Sequence, residues 1–250
     1  MLKLTLALLL AVQYAAAVKF TLYNNCGGPI WPGILGSTIP EGGGFRLEHG
    51  QSHDVYVPDR WQAGRFWTRT WCDDQFNCAT GFCGNKLQCS GAGGRPPASL
   101  AEFTLYAQNA GNQDFYDVSL VDGWNVEVLI EPVGGTFQSN GGQYDCKTIG
   151  QCNANINDRC PDELKVWASG TVAGCDSACT RWPDNDFYCC RNAHGTPQTC
   201  KSSDWPKDYA KIFKDTCPDD YSYAYDDKKS TFTCRGSNGR LSPDYKITFC

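Results

Sequence analysis

The sequence predicts a mainly β protein: an antiparallel β-sandwich core carrying two disulfide-rich loop domains. Three observations lead there. Short runs of alternating apolar and polar residues recur between Gly- and Pro-rich turns, which is the pattern of a sandwich or barrel. Sixteen cysteines crowd into stretches too poor in apolar residues to form cores of their own. A clear helical period stands out near 206–215 alone.

The first seventeen residues read separately. Lys3 precedes the apolar run from Leu4 to Val12, and Ala15-Ala16-Ala17 offers small residues for cleavage, the signature of a secretory signal peptide. The mature chain is expected to begin at Val18 and to be extracellular. No later apolar run reaches the roughly 18 residues of a membrane span, so no transmembrane segment is expected. Behind a signal peptide an even cysteine count implies disulfides. Sixteen cysteines allow about two million pairings, and spacing does not choose among them. The formal net charge is −5, and loss of Lys3 makes it −6. A surface of that sign excludes nucleic acid as a natural partner and suits a neutral polymer or a cationic ligand. His49, His53 and His194 do not sit at metal-ligand spacing. No metal site and no cofactor are expected, and the chain is expected to be a monomer.

Along the chain, Val18 to Asn24 alternates as a strand, and Cys26-Gly27-Gly28-Pro29 breaks it. Ile30 to Leu35 reads as a strand interrupted by Pro32, and Pro40 to Gly44 as a hairpin-type loop. Phe45 to Leu47, Ser52 to Val57 and Gly64 to Arg69 are three more short strands. Residues 71–96 form a small stapled loop domain holding four cysteines. The stretch from Leu100 to Asn125 organises the rest. Phe103 to Tyr106 and Phe115 to Val121 are rich in aromatic and β-branched types, with Asn109 to Asn112 as turn between them. Trp124 to Ile130 continues as strand. Residues 154–217 form the larger stapled domain. Its helix is expected over 206–215, with Asp204 as cap, Pro206 in the first turn, and Tyr209, Ile212 and Phe213 as apolar face. A shorter helix is expected near Asp176 to Arg181. Thr231 to Cys234 and Tyr245 to Cys250 close the core, which comprises 18–70, 97–153 and 218–250.

The central stretch carries Glu102, Asp117 and Asp122. Taken alone, these acids fit a solvated outer face or an acidic cleft. Asp117 and Asp122 are five residues apart, an odd spacing that sends them to opposite faces of a flat strand. They share a cleft only if the chain bends, and Asp122-Gly123 is the place for it. Phe66, Trp67, Phe115, Tyr116 and Trp124 are candidates for stacking on sugar rings, although alternation assigns most of them to the core. Ser119 and His53 have no partners that suggest a nucleophilic triad.

Several motifs, spread over nearly all of the mature chain, resemble the thaumatin-like proteins, the family of pathogenesis-related group 5 proteins, osmotins and animal relatives. They include Phe20-Thr21-Leu22-Tyr23-Asn24-Asn25-Cys26, Gly64-Arg65-Phe66-Trp67-Thr68-Arg69-Thr70 and Cys78-Ala79-Thr80-Gly81-Phe82-Cys83-Gly84. Pro96 to Phe103, Asp117 to Val126, Cys217-Pro218-Asp219 and Tyr245 to Cys250 continue the likeness, and sixteen cysteines is the family's complement. The resemblance implies the thaumatin-like fold and the pairs Cys26–Cys250, Cys72–Cys78, Cys83–Cys89, Cys146–Cys234, Cys152–Cys217, Cys160–Cys175, Cys179–Cys189 and Cys190–Cys200.

The resemblance also implies a cleft lined by Arg65, Glu102, Asp117, Asp122 and Asp219. By analogy this is a secreted, antifungal defence protein that binds β-1,3-glucan or another cell-wall polysaccharide, with Arg65, Asp117 and Asp219 as binding residues. The alternative is an endo-β-1,3-glucanase with Glu102 as proton donor and Asp122 as base. A second alternative is a membrane-active, receptor-binding or inhibitor protein without carbohydrate activity. Whether the cleft turns substrate over is left open by the residues. The chain departs from the family's Thr-Gly-Asp-Cys motif, placing Phe82 in the acid position. Its Cys72–Cys78 loop is shorter and its Cys190–Cys200 loop longer than in plant members, departures that touch the small domain's surface and not the five cleft positions; an animal-type or divergent member is expected.

Overall fold

Two β-sheets face each other across an aromatic core in the computed structural model, which describes residues 17–250. The signal peptide expected over 1–17 lies, but for Ala17, outside the described residues. One sheet has the order β3 (Ser52–Pro58), β1 (Ala17–Asn24), β12 (Tyr245–Phe249), β8 (Val128–Pro132). The other runs β11 (Phe232–Cys234), β7 (Gln113–Ser119), β6 (Leu100–Ala107), β4 (Gly64–Cys72), β2 (Trp31–Leu35), with β5 (Cys78–Thr80) paired to the end of β4. Alternation sets the inner faces: Val18, Phe20 and Leu22 of β1 are buried, while Lys19, Thr21 and Tyr23 are partly exposed. Phe20 meets Phe66, Phe103 and Tyr245 with ring centroids 4.9, 4.8 and 5.5 Å away. Such aromatic pairs add about 0.5–1.5 kcal/mol each beyond the area they bury.

One pairing departs from the antiparallel expectation. The first and last strands, β1 and β12, run parallel, and their register sets Asn24 beside Phe249. Both strands therefore leave the sheet at the same end, where Cys26 and Cys250 are bridged. All eight pairs implied by the resemblance are present, and no cysteine is free among the described residues.

Two buried polar groups brace the core, one across the sheets and one against a loop. Asp114 of β7 accepts hydrogen bonds from the Tyr106 amide, the Ser242 hydroxyl and the Tyr245 hydroxyl at 2.8, 2.5 and 2.7 Å, the last reaching across to the other sheet. Arg69 of β4 is fully buried and donates to the carbonyls of Trp31, Lys86 and Leu87 at 3.1, 2.9 and 2.6 Å. It thereby holds the Cys83–Cys89 loop against the sheet.

Several elements differ from the sequence expectation. The helix begins at Ala210, not Pro206, and runs to Thr216; Asp204 does not cap it but closes a separate 3-10 turn, Ser202–Asp204. Pro206 falls between the two. Phe45 to Leu47 is no strand: Leu47 makes a single bridge with Ile30. Trp124 to Val126 is also not strand. Trp124 pairs with Cys175, and the Asn125 amide is spent on local groups: its nitrogen donates to the Thr68 carbonyl and Thr80 hydroxyl, and its oxygen accepts from the amides of Ser99 and Val126. An added hairpin, β9 (Lys165–Ala168) with β10 (Thr171–Cys175), turns on Ser169-Gly170, both at positive φ (48° and 79°), as a two-residue primed turn requires.

Candidate functional site

Strand register builds the centre of the site. Arg65 of β4 stands opposite Glu102 of β6, and Glu102 stands opposite Asp117 of β7. Directly opposed residues share a face, with Cβ atoms roughly 4.5–5.5 Å apart. Their chain neighbours Phe66, Phe103 and Tyr116 are buried in the core, so alternation sends the charged row outward.

Asp122 joins the row because the strand ends before it. β7 stops at Ser119, and the Gly123 amide donates to the Leu120 carbonyl at 2.9 Å. Gly123 has φ 85°, and a Cβ there would lie 2.6 Å from the Cys175 carbonyl oxygen, so glycine is required. This turn overrides the odd spacing of Asp117 and Asp122. The opposite wall comes from the segment after Cys217, where Tyr221 pairs alongside β7. The result is an open groove of about 380 Å³ lined by Arg65, Glu102, Asp117, Asp122, Ser119 and Tyr221, among others. It continues at one end into a hollow of about 240 Å³ beside Phe115, and at the other, past Asp122, into one of about 730 Å³.

Asp219 is not among the residues that line this groove. It sits in a turn closed by the Asp220 amide on the Cys217 carbonyl, half-buried, with Lys214 as the charge that opposes its desolvation. Of the five sequence candidates, the fold therefore brings four together. Of the aromatic candidates, Phe66, Trp67, Tyr116 and Trp124 are core, and only Phe115 borders the site. Tyr221 and Ser119 were not singled out as cleft residues; a lone Tyr and a lone strand Ser carry no sequence signal for that role.

The electrostatics follow from burial. Glu102 is held above the usual carboxylate range by desolvation, with Asp122 adding to the rise and Arg65 and the Ser119 hydroxyl opposing it. Asp117 is pushed well up by desolvation and by the charges of Glu102 and Asp227. Asp122 is raised by desolvation against the pull of Arg65. Among the described residues Arg65 forms no ion pair within 4 Å. One unpaired cation among three acids leaves the row able to hold protons, so it can donate as well as accept hydrogen bonds. Among the described residues, three potential metal ligands gather only at Cys152, Cys217 and Asp220, and there the two sulfurs are bonded to each other, leaving no thiolate to offer.

The Thaumatin family model matches residues 24–250. The chain belongs to the thaumatin family. Pathogenesis-related thaumatin-like protein 3.5 of Cryptomeria japonica is 48% identical over 243 residues, covering 94% of this chain and 91% of the relative. A protein of Prunus avium named glucan endo-1,3-beta-glucosidase is 44% identical over 246 residues, covering 95% of this chain and 91% of its own length. Among solved structures, a laminaripentaose-producing β-1,3-glucanase in complex with laminaritetraose aligns with TM-score 0.58 at 12% identity, covering 93% of this chain and 98% of that one. At that identity the likeness establishes the thaumatin-type fold and nothing about the reaction.

Proposed function

We propose that this member of the thaumatin family is a secreted antifungal defence protein that binds β-1,3-glucan-type cell-wall polysaccharide in the acidic groove. The observation that carries the reading is the row Arg65, Glu102 and Asp117 set across three strands, with Asp122 turned onto its end. Ionised carboxylates accept hydrogen bonds from sugar hydroxyls, protonated ones donate to them, and Arg65 donates throughout. Phe115 and Tyr221 offer ring faces beside these polar groups, the mixture that ligand sites use. Asp219, outside the groove lining, has no part in this reading. Eight bridges fit a protein that works outside the cell.

A second reading is supported by the raised carboxyl of Glu102 and by the name carried by the Prunus avium relative. In it Glu102 protonates the leaving glycosidic oxygen and Asp122 activates water, the division of labour of a glycosidase. Retention on an insoluble β-1,3-glucan, run beside a reducing-sugar assay on the soluble polymer, tests both. Retention without sugar release supports binding alone, and release supports the hydrolase. The absence of both retention and release would remove the polysaccharide reading altogether.

A further inference from the structure

The hollow beyond Asp122 differs in charge from the acidic row. Its two banks come from different parts of the chain. Arg95, Pro96 and Pro97 form one, and Pro183, Cys189 and Arg191 form the other. Among the described residues neither Arg95 nor Arg191 has a carboxylate within 4 Å. Phe82 occupies the position where the family motif has an acid, and the Arg95 guanidinium lies over its ring at 4.8 Å from the centroid. A ring face orients a guanidinium without neutralising it. Arg191 is anchored differently. Its backbone follows the adjacent half-cystines Cys189 and Cys190 inside the Cys190–Cys200 loop, and one guanidinium nitrogen donates to the Pro183 carbonyl at 3.1 Å. Both arginines are exposed, and each has one orienting contact, the Phe82 ring for Arg95 and the Pro183 carbonyl for Arg191.

We propose that this hollow is an anion subsite, in which Arg95 and Arg191 recognise a sulfate, phosphate or carboxylate substituent on a glucan chain lying in the adjoining acidic groove. The proposal rests on the glucan reading for the chain's path and adds the class of polymer, an acidic rather than a neutral one. Planar guanidinium forks match such oxyanions in pairs of charge-assisted hydrogen bonds. The charges facing the site are few. Asp122 and Asp176 line the same hollow, Arg65 acts on Asp122, and Arg181 acts on Asp176. Burial raises Asp176 to about 6 and Asp122 upward. At pH 7 the two acids therefore oppose the two arginines, and near pH 5 protonation of Asp176 leaves the hollow cationic. Binding of an anionic glycan strengthens as pH falls.

Calorimetric titration with three β-1,3-gluco-oligosaccharides of equal length tests this: one neutral, one 6-O-sulfated and one oxidised to the carboxylate at C6. At pH 5 at least one anionic form is expected to bind about tenfold more tightly than the neutral form, the worth of one added charge-assisted hydrogen bond. Whichever form gains names the substituent. The advantage should shrink at pH 7 and vanish in Arg95→Gln/Arg191→Gln. It should survive in Lys19→Gln/Lys246→Gln, which removes the same charge from the opposite sheet. Two anionic forms that both bind no better than the neutral one overturn the proposal. So does an advantage that persists without the arginines, or one that is lost equally in the lysine variant. Neutral oligosaccharide binding without an anionic advantage leaves the glucan reading standing and removes the subsite. Arginine-dependent anion binding with no neutral binding does the reverse.

Discussion

Replacing Asp114 by Asn should flatten the pH dependence of stability. The carboxyl is fully buried, and desolvation raises it to about 6 from an ordinary 3.8, against the opposing hydrogen bonds of Ser242, Tyr106 and Tyr245. The folded protein thus keeps this proton up to about pH 6, whereas the unfolded chain releases it near 3.8. Between those values the unfolded state binds fewer protons, so stability falls as pH rises. At about 1.4 kcal/mol for each pH unit separating the two values, the group removes about 3 kcal/mol between pH 4 and pH 7. In Asp114→Asn the amide oxygen still accepts from the Tyr106 amide and the Ser242 hydroxyl, while its nitrogen donates to the Tyr245 oxygen. At pH 4 the variant should lie within about 1 kcal/mol of the wild type, and at pH 7 it should equal or exceed it. Guanidinium unfolding followed by tryptophan fluorescence, with the bridges intact and the m-value checked for constancy, measures both. Wild type and variant losing the same stability from pH 4 to pH 7 would refute the argument.

Other outcomes follow from the same structure. Arg69→Met keeps the apolar stem but removes three part-buried hydrogen bonds to carbonyls at about 0.5–1.5 kcal/mol each, partly offset by no longer burying a cation; a loss of about 2–4 kcal/mol in denaturant titration is expected, and a loss under about 0.5 kcal/mol contradicts it. The denatured, unreduced protein should show no reactive thiol, and verified reduction should lower the melting temperature far more than any single core substitution, since each bridge is worth about 2–5 kcal/mol; one titratable thiol, or a melting point that hardly moves, counts against this. If the wild type releases sugar, Glu102→Gln should abolish release and leave glucan retention nearly unchanged, because the amide keeps the shape but has no proton to give; wild-type turnover in that variant excludes Glu102 as the acid. Gly123→Ala should weaken glucan retention, since its Cβ would press on the Cys175 carbonyl and displace Asp122; unaltered retention would show that the turn is not needed.

Local pattern was enough for the strands that alternate strictly. The alternation in Val18 to Asn24 and in Tyr245 to Phe249 is the direct imprint of one buried and one solvated face, and it appears where expected. Turn chemistry likewise marked Asp122-Gly123, because a glycine at positive φ is a local requirement. The helix start was misjudged for the opposite reason. Asp204 and Pro206 carry good start signals, yet the chain spends them on a separate turn before Tyr209 and Phe213 meet the core. The hairpin at Ser169-Gly170 had a legible turn, but strands of four and five residues carry too little alternation to announce themselves.

The candidate site divides along the same line. Residue types were visible: an arginine, acids, and a bend at Gly123. The parallel pairing of β1 with β12 and the register that aligns Arg65, Glu102 and Asp117 were not, because each depends on partners up to about two hundred residues away. The elevated protons of Asp114 and Asp117 belong to this second group, as do the unneutralised cations of Arg95 and Arg191. A side chain's charge state is set by the water it loses and the charges it meets, and both are settled only when distant strands close over it.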